Sequence, residues 1–133
     1  MEKIIIDANE EVFGRLCSYA AKKALEGNEI IVVNSEKAII SGNKKDIINK
    51  YKTLRAKGGF SQKGPKYSKI TYYMLKRGIR GMLPDHRKGI GKQAFSRIKC
   101  YNGIPKEFEG KSIKLNTRKP IKYLELKELS EKL

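Results

Sequence analysis

The sequence predicts an α/β fold, and three segments among its first 33 residues carry that prediction. Residues 3–6 and 29–33 are apolar and β-branched without alternation, so both are expected to be strands covered on each face. Between them, residues 9–26 place apolar side chains at helical spacing. A strand, helix, strand unit of this length implies a right-handed crossover and parallel pairing of the two strands.

The first helix is predicted to run from a cap at Asn9 to a stop at Gly27. Glu10 and Glu11 lie near the positive end of its dipole. Its apolar face is expected to hold Phe13, Leu16, Cys17, Ala20 and Ala24.

The next elements are a short strand, a helix and a loop. The strand is predicted at residues 38–40, and Asn43 is expected to cap the helix that follows. The apolar set of this helix is Ile47, Ile48, Tyr51 and Leu54. Residues 56–68 contain glycines, lysines and interleaved aromatic residues, which predicts an RNA-contacting loop. An ordinary solvated lysine loop is the alternative.

Two further helices are each expected to bury one face and expose cations on another. In the first, residues 69–77, the buried set is Ile70, Tyr73 and Met74, and the exposed set includes Lys69, Tyr72 and Lys76. In the second, after Pro84, the buried set is Ile90, Ala94 and Ile98, with Lys88 and Lys92 opposite. Met82 and Leu83 are expected to pack in the core. A strand at residues 98–101, an extended piece at 113–115 and a terminal helix at 123–133 complete the prediction.

The charge of the chain is concentrated in its middle. Residues 50–99 hold fifteen Lys or Arg and one acid, Asp85, a net charge of +14 in a chain of 133 residues that carries +16 in all. Self-repulsion of this size destabilises a compact fold unless a polyanion neutralises it. The cations are spread over loops and several elements instead of one recognition helix, which favours folded RNA over DNA. We predict one domain over residues 1–133, with a basic RNA-facing region at 50–99 and a C-terminal arm at 106–133.

The motifs of a nucleotide-dependent or hydrolytic enzyme are missing from the sequence. The Gly-Lys pair at 91–92 has His86 where a P-loop needs its first glycine and Gln93 where it needs a hydroxyl. No Gly-x-Gly-x-x-Gly follows the first strand. Asp85 beside His86 fits turn chemistry better than an acid–base pair of a phosphodiesterase. We predict that the protein is not an enzyme and has no cofactor.

Cysteine usage and hydropathy exclude other classes. Cys17 and Cys100 form no C-x-x-C pair and the chain has one histidine, so buried thiols are expected instead of a disulfide framework or a metal site. Its apolar runs are far shorter than the roughly 20 residues of a membrane span. The N-terminus has no signal-peptide pattern. A cytoplasmic protein with no membrane partner is expected.

Phosphate-binding chemistry is concentrated at residues 77–92, where glycines alternate with cations. Glycines let backbone amides approach a phosphate, and arginine forks match its oxygens. The candidate RNA-binding residues of the whole chain are Lys57, Lys63, Lys66, Lys69, Lys76, Arg77, Arg80, Arg87, Lys88, Lys92 and Arg97.

Several short stretches of the sequence are distinctive when taken together. The main ones are Arg-Gly-Met-Leu-Pro at 80–84, Gly-Lys-Gln-Ala at 91–94 and Arg-Ile-Lys-Cys-Tyr-Asn-Gly-Ile-Pro at 97–105. They are accompanied by Gly-Arg-Leu at 14–16, Ile-Ile-Ser-Gly-Asn at 39–43 and Arg-Lys at 118–119. These stretches closely resemble the L13 family of large-subunit ribosomal proteins. Gly-Ile-Pro at 103–105 and Gly-Pro-Lys-Tyr at 64–67 resemble the archaeal and eukaryotic branch. With no long C-terminal extension, an archaeal origin fits best.

The resemblance implies a three-layer α/β/α fold around a small, mainly parallel four-stranded sheet, with basic loops and a short C-terminal helix. It implies a non-catalytic protein, monomeric outside the ribosome, that binds large-subunit rRNA and neighbouring ribosomal proteins and helps early subunit assembly. The residues that inherit an RNA-binding expectation are Arg77, Arg80, Arg87, Lys88, Lys92 and Arg97. The alternative is a free translational regulator that binds mRNA through the same surface.

Overall fold

Strands and helices alternate through the first half of the chain, as the sequence predicts. The structure, a computed structural model, describes residues 2–56 and 68–133. Its elements are β1 (Lys3–Asp7), α1 (Phe13–Leu25), β2 (Glu29–Val33), β3 (Ile39–Ser41), α2 (Lys44–Ala56), α3 (Thr71–Gly81), α4 (Gly89–Ser96), β4 (Ile98–Cys100), β5 (Tyr123–Glu125) and α5 (Leu126–Lys132). The predicted α/β class is confirmed.

The main sheet is parallel, with strand order β1-β2-β4. Ile30 of β2 is in register with Ile4 on one side and with Ile98 on the other. Successive side chains point to opposite faces of a strand. One face of this sheet therefore joins the large core that includes α1, α3 and α4, while Ile5 and Ile31 on the other face pack with Phe108.

The strand predicted at residues 38–40 is not in this sheet, so the described residues form a sheet of three strands instead of the expected four. Of the strands described, three form the main sheet, and β3 instead pairs antiparallel with β5 in a second, two-stranded sheet. Residues 123–125 were expected to be helical, but Leu124 is fully buried between the outward-facing Tyr123 and Glu125. This period of two suits a strand, and pairing with β3 overrides the helical preference of the segment.

The first helix begins later than predicted, at Phe13. Glu10 has a left-handed backbone with φ +60°, and Val12 is extended and bridges Ile39, so neither can be part of the helix. Asn9 does not cap it, since the N-cap position is Val12, whose own side chain makes no capping hydrogen bond; the Asn9 N–H instead donates to Asp7 Oδ1 at 3.0 Å. The predicted stop is confirmed: the helix ends at Leu25, two residues before Gly27, whose φ is +101°.

The Glu11 carboxylate, which is buried, ties the start of α1 to residues near the C-terminus. Its Oε1 accepts from the backbone N–H of Asn116 at 3.1 Å, and its Oε2 accepts from the N–H of Thr117 at 3.1 Å. The Thr117 hydroxyl donates to Oε2 at 2.7 Å and accepts from the Val12 N–H at 3.0 Å. Thr117 thus satisfies a helix-end N–H that lacks a partner within the helix.

A second carboxylate, that of Glu36, holds the turn after β4. It accepts from the Gly103 N–H at 2.9 and 3.2 Å. Gly103 has φ +68°, a conformation that glycine adopts without strain. The Glu11 and Glu36 contacts are called the acid clamps below.

The second and third helices differ in how well their buried faces are predicted. For α2, Asn43 Oδ1 accepts from the Lys45 N–H at 3.1 Å, so the predicted cap is confirmed, and Ile47 is buried. For α3 the predicted phase is partly wrong, because Ile70 is 41% and Tyr73 51% exposed. The residues that α3 buries are Thr71, Met74, Leu75 and Ile79.

The buried side of α4 also differs from the prediction. Gly91 and Ala94 face inward, whereas Ile90 is 68% exposed. A Cβ atom on Gly91 would lie 2.3 Å from the Asp85 carbonyl oxygen, so the preceding loop packs directly on the helix there and leaves Ile90 outside. Met82, expected in the core, is 47% exposed, while Leu83 packs against the core as predicted.

Candidate nucleic-acid interface

The exposed sides of α3, α4 and the connecting loop at residues 82–88 form one surface, called the basic face. Residues 68–99 hold nine Lys or Arg and one acid, Asp85, a net charge of +8. The ion pairs formed within the described part of the chain are Lys23–Glu26, Lys44–Glu128 and Lys119–Glu10, and all of them lie elsewhere. The positive charge of the basic face is therefore not balanced by nearby carboxylates of these described residues.

One side of α3 supplies the centre of this face. Tyr73, Lys76, Arg77 and Arg80 follow the i, i+3, i+4, i+7 spacing and so share a side of the helix. The opposite side is buried in the core, which fixes the rotation of α3. Burial of one stripe thus presents a tyrosine and three cations together.

These side chains border a groove between α2, α3 and α4 with a volume of about 650 Å³. We call it the aromatic groove. It is lined by Phe13, Tyr51, Ser68, Tyr73, Met74, Lys76, Arg77, Gly78, Arg80, Gly81 and Phe95. Its walls contain both aromatic rings and cations, a combination typical of surfaces that bind single-stranded nucleic acid.

Gly78 explains why α1 contributes to the groove. A Cβ atom at this position would lie 2.6 Å from Cζ of Phe13 and 3.0 Å from Sγ of Cys17. The missing side chain lets α3 approach α1 closely, so the Phe13 ring lies directly against the helix backbone. Phe13 then lines the groove beside the half-exposed Gly78.

Phe95 is in contact with an ammonium group over its face and with another ring at its edge. Lys76 Nζ lies 5.1 Å from the ring centroid, within cation–π range, and the His86 ring meets Phe95 edge-on at a centroid distance of 6.0 Å. Lys76 also lies near Cys100, where its charge partly opposes the effect of burial, which raises the pKa of that thiol to about 12. These contacts hold the Lys76 ammonium at one wall of the groove.

The loop before α4 presents two exposed cations, Arg87 and Lys88. Asp85 Oδ1 accepts from the Arg87 N–H at 3.0 Å, which is the turn role expected from the sequence. Gly89 follows with φ +64°, so the backbone can enter α4 without steric strain.

Two predicted residues at the margins of the face have contacts within the protein. Arg97 Nη1 donates to the Ala24 carbonyl at 2.9 Å, in the last turn of α1, and the same carbonyl also accepts from the Gly27 N–H at 3.1 Å. Lys69 is exposed, and its carbonyl accepts from the Ser130 hydroxyl of α5. An RNA contact by either side chain stays a prediction.

The structure thus brings six of the predicted residues onto one surface: Lys76, Arg77 and Arg80 in the groove, Arg87 and Lys88 on the loop, and the exposed Lys92 on α4. Lys57, Lys63 and Lys66 lie outside the described residues. The sequence analysis assigned Tyr51 and Tyr73 to buried faces and did not single out Phe95. The spacing of Tyr73 relative to the α3 cations was the signal that could have identified it.

Other kinds of site find no support in the described segments. Residues 2–56 and 68–133 contain no group of three or more His, Cys, Asp or Glu placed to hold a metal ion. Their helices are also too short or too polar to cross a membrane.

Comparison with known proteins agrees with the resemblance noted in the sequence. A family model described as Ribosomal protein L13 matches residues 1–107. The Large ribosomal subunit protein uL13 of Methanococcus maripaludis is 45% identical over 134 residues, covering 96% of this chain and 95% of that protein. The uL13 proteins of Thermoplasma volcanium and Methanocaldococcus jannaschii are 41% and 43% identical, each covering 97% of this chain and 96% of the relative.

The match extends over the helices and strands that form the basic face, and the relatives are archaeal, as the sequence predicted. It also bears out the expectation of a structural ribosomal protein that is not an enzyme. The chain belongs to the ribosomal protein L13 family.

Proposed function

We propose that this protein is a structural component of the large ribosomal subunit that binds large-subunit rRNA through the basic face. Its relatives are named as large-subunit proteins, which supports the location. The observation that carries the rRNA proposal is the shared side of α3, where three cations border one groove. Neighbouring proteins of the subunit are the expected further partners, in the cytoplasm where ribosomes translate.

The physical basis is neutralisation of phosphate. The segment at residues 68–99, with nine cations and one acid, repels itself, and each phosphate that the basic face contacts removes part of that repulsion and releases counterions. Because the cations are spread over two helices and a loop, they fit the backbone of a folded RNA better than one groove of a DNA duplex. Bringing phosphate-rich helices together requires such a polycation, which supports an action early in subunit assembly.

Sedimentation of native lysate from cells that produce the protein tests the location. After a high-salt wash, quantitative mass spectrometry of each fraction is expected to show about one copy per large subunit. Release into the free pool, or co-sedimentation with mRNA outside ribosomes, would contradict the proposal and favour a translational regulator.

Substitution of Arg80 tests the RNA-binding surface. Arg80→Ala is expected to weaken binding of an rRNA fragment and to reduce the slope of log K against log salt by about 0.7–0.9, the contribution of one phosphate contact. Arg15→Ala, which removes an exposed arginine of α1 outside the basic face, is the control. An unchanged slope for Arg80→Ala would show that this residue contacts no phosphate.

A further inference from the structure

The aromatic groove has features that phosphate binding alone does not require. Tyr73 is 51% exposed and lines a groove that other aromatic rings also line. The half-buried rings of Tyr51 and Phe95 line the same groove from α2 and α4. With Phe13 of α1, four helices thus contribute rings to one opening beside the cations.

The rings of this groove differ in how much of their surface the protein already uses. Tyr73 has the Tyr72 ring beside it, with centroids 4.6 Å apart and planes inclined by 49°. Phe95 has the Lys76 ammonium over its ring and His86 at its edge. Tyr73 is therefore the ring with most surface left for a flat ligand.

The cations and glycines of the groove suit the phosphate of a nucleotide whose base lies on the ring. Lys76, Arg77 and Arg80 stand on the same side of α3 as Tyr73, so a group bound by them is adjacent to the ring. Gly78 and Gly81 have no side chains, so a ligand in the groove can approach the backbone of α3 there. A cation row beside an aromatic ring matches a phosphate beside a base.

The size of the groove limits what can enter. Its 650 Å³ falls within the range of about 300–1,000 Å³ that encloses small ligands, so it suits one nucleotide and is too small for a duplex. Bases in an RNA helix are already stacked and paired, whereas unpaired bases can be splayed onto aromatic side chains.

We propose that the aromatic groove binds the base of an unpaired RNA nucleotide, stacked on Tyr73, while Lys76, Arg77 and Arg80 bind the adjoining phosphates. This inference rests on the proposed RNA-binding function and adds a selectivity for unpaired nucleotides. The backbone contacts of the basic face fix the protein on the RNA, and the groove recognises a bulged or single-stranded position.

The test compares two RNA probes and three tyrosine variants of the full chain. The probes are a short single strand with one central 2-aminopurine and a fully paired duplex of equal length. Wild type is expected to quench 2-aminopurine fluorescence. Tyr73→Ala is expected to abolish quenching and weaken single-strand binding about 5- to 100-fold, the usual loss for one stacked base. Tyr73→Phe keeps the ring and is expected to bind like wild type.

Tyr123→Ala is the matched control, because it removes a tyrosine that has a cation near its ring, Lys119 at 4.6 Å, but lies in β5 and outside the groove. It is expected to leave both probes unaffected, and melting curves show whether each variant is folded. Duplex binding is expected to be equal in wild type and Tyr73→Ala.

The outcomes separate this inference from the proposed function. Unchanged single-strand binding by Tyr73→Ala, or equal losses on both probes, would overturn base stacking while leaving the basic face as an RNA-binding surface. Failure of wild type to bind either probe or the rRNA fragment would instead contradict the proposed function and, with it, the groove.

Discussion

Carboxylates are used differently in two regions of this molecule. At the acid clamps, Glu11 and Glu36 each accept hydrogen bonds from backbone amides more than 60 positions away along the chain. On the basic face, the one acid, Asp85, accepts from an amide two residues away and contributes to a turn. Charge at the clamps is satisfied inside the protein, whereas the basic face carries the excess of positive charge that we propose RNA phosphates neutralise.

This difference predicts which substitutions should affect folding and which should affect binding. A buried carboxylate that accepts several N–H groups stabilises the fold, and its loss leaves donors without partners. An excess of cations on one surface destabilises the free protein slightly and stabilises its complex with a polyanion. The clamps and the basic face should therefore respond in opposite ways to loss of charge.

The largest effect is expected at the first clamp. Glu11→Ala should lower the free energy of unfolding by about 3 kcal/mol, because the amides of Asn116 and Thr117 lose a charged acceptor. Glu10→Ala is the control, since Glu10 is exposed and makes only a surface ion pair with Lys119 at 3.6 Å. Urea unfolding measures both. Equal losses of unfolding free energy in the two variants would contradict the prediction, because the buried contacts of Glu11 would then add no stability.

The next effect is expected where the basic face meets the core. Gly78→Ala should destabilise the protein by about 1–3 kcal/mol, since its Cβ would collide with the Phe13 ring and α3 must shift. Gly81→Ala, three residues on, would place its Cβ at least 4 Å from any neighbour and should cause no loss. Thermal unfolding of the two variants shows whether close packing of α1 and α3 fixes the face. Similar melting temperatures would contradict it.

A smaller effect of opposite sign is expected on the face itself. Lys92→Gln should raise the free energy of unfolding at low salt by about 0.5 kcal/mol, because it relieves repulsion, and should weaken RNA binding. The gain should vanish at high salt. Lys22→Gln on α1, within the part of the chain that has no positive excess, is the control. A loss of stability in Lys92→Gln would mean that this lysine has a partner in the free protein.

The smallest effect concerns the thiol beneath the face. Burial raises the pKa of Cys100 to about 12, so the folded protein keeps this proton while the unfolded chain loses it near pH 9. The stabilisation is therefore complete well below pH 9 and is lost as pH rises toward 12, with a loss of about 0.4 kcal/mol by pH 9. Cys100→Ala should flatten this decline in unfolding experiments between pH 8 and pH 9. An identical decline would assign it to other groups.

The sequence by itself determined the class of fold and the location of the charge. Continuous apolar runs at residues 4–6 and 30–33 are typical of strands in a covered parallel sheet, and β1 and β2 pair in that way. Local signals also placed the end of α1 and the Asn43 cap. These features depend on residues that are close together in the chain, so they can be predicted from the amino-acid sequence.

Only the tertiary structure decided the partners of β3, the start of α1 and the faces of α3 and α4. β5 pairs with β3 across more than 80 residues, and Thr117 completes the start of α1 from 105 residues away. Tyr73 is exposed because α3 turns Met74 and Leu75 into the core, a choice that periodicity alone left open. Such contacts join residues that are distant in sequence, and their energies appear only when the chain is folded.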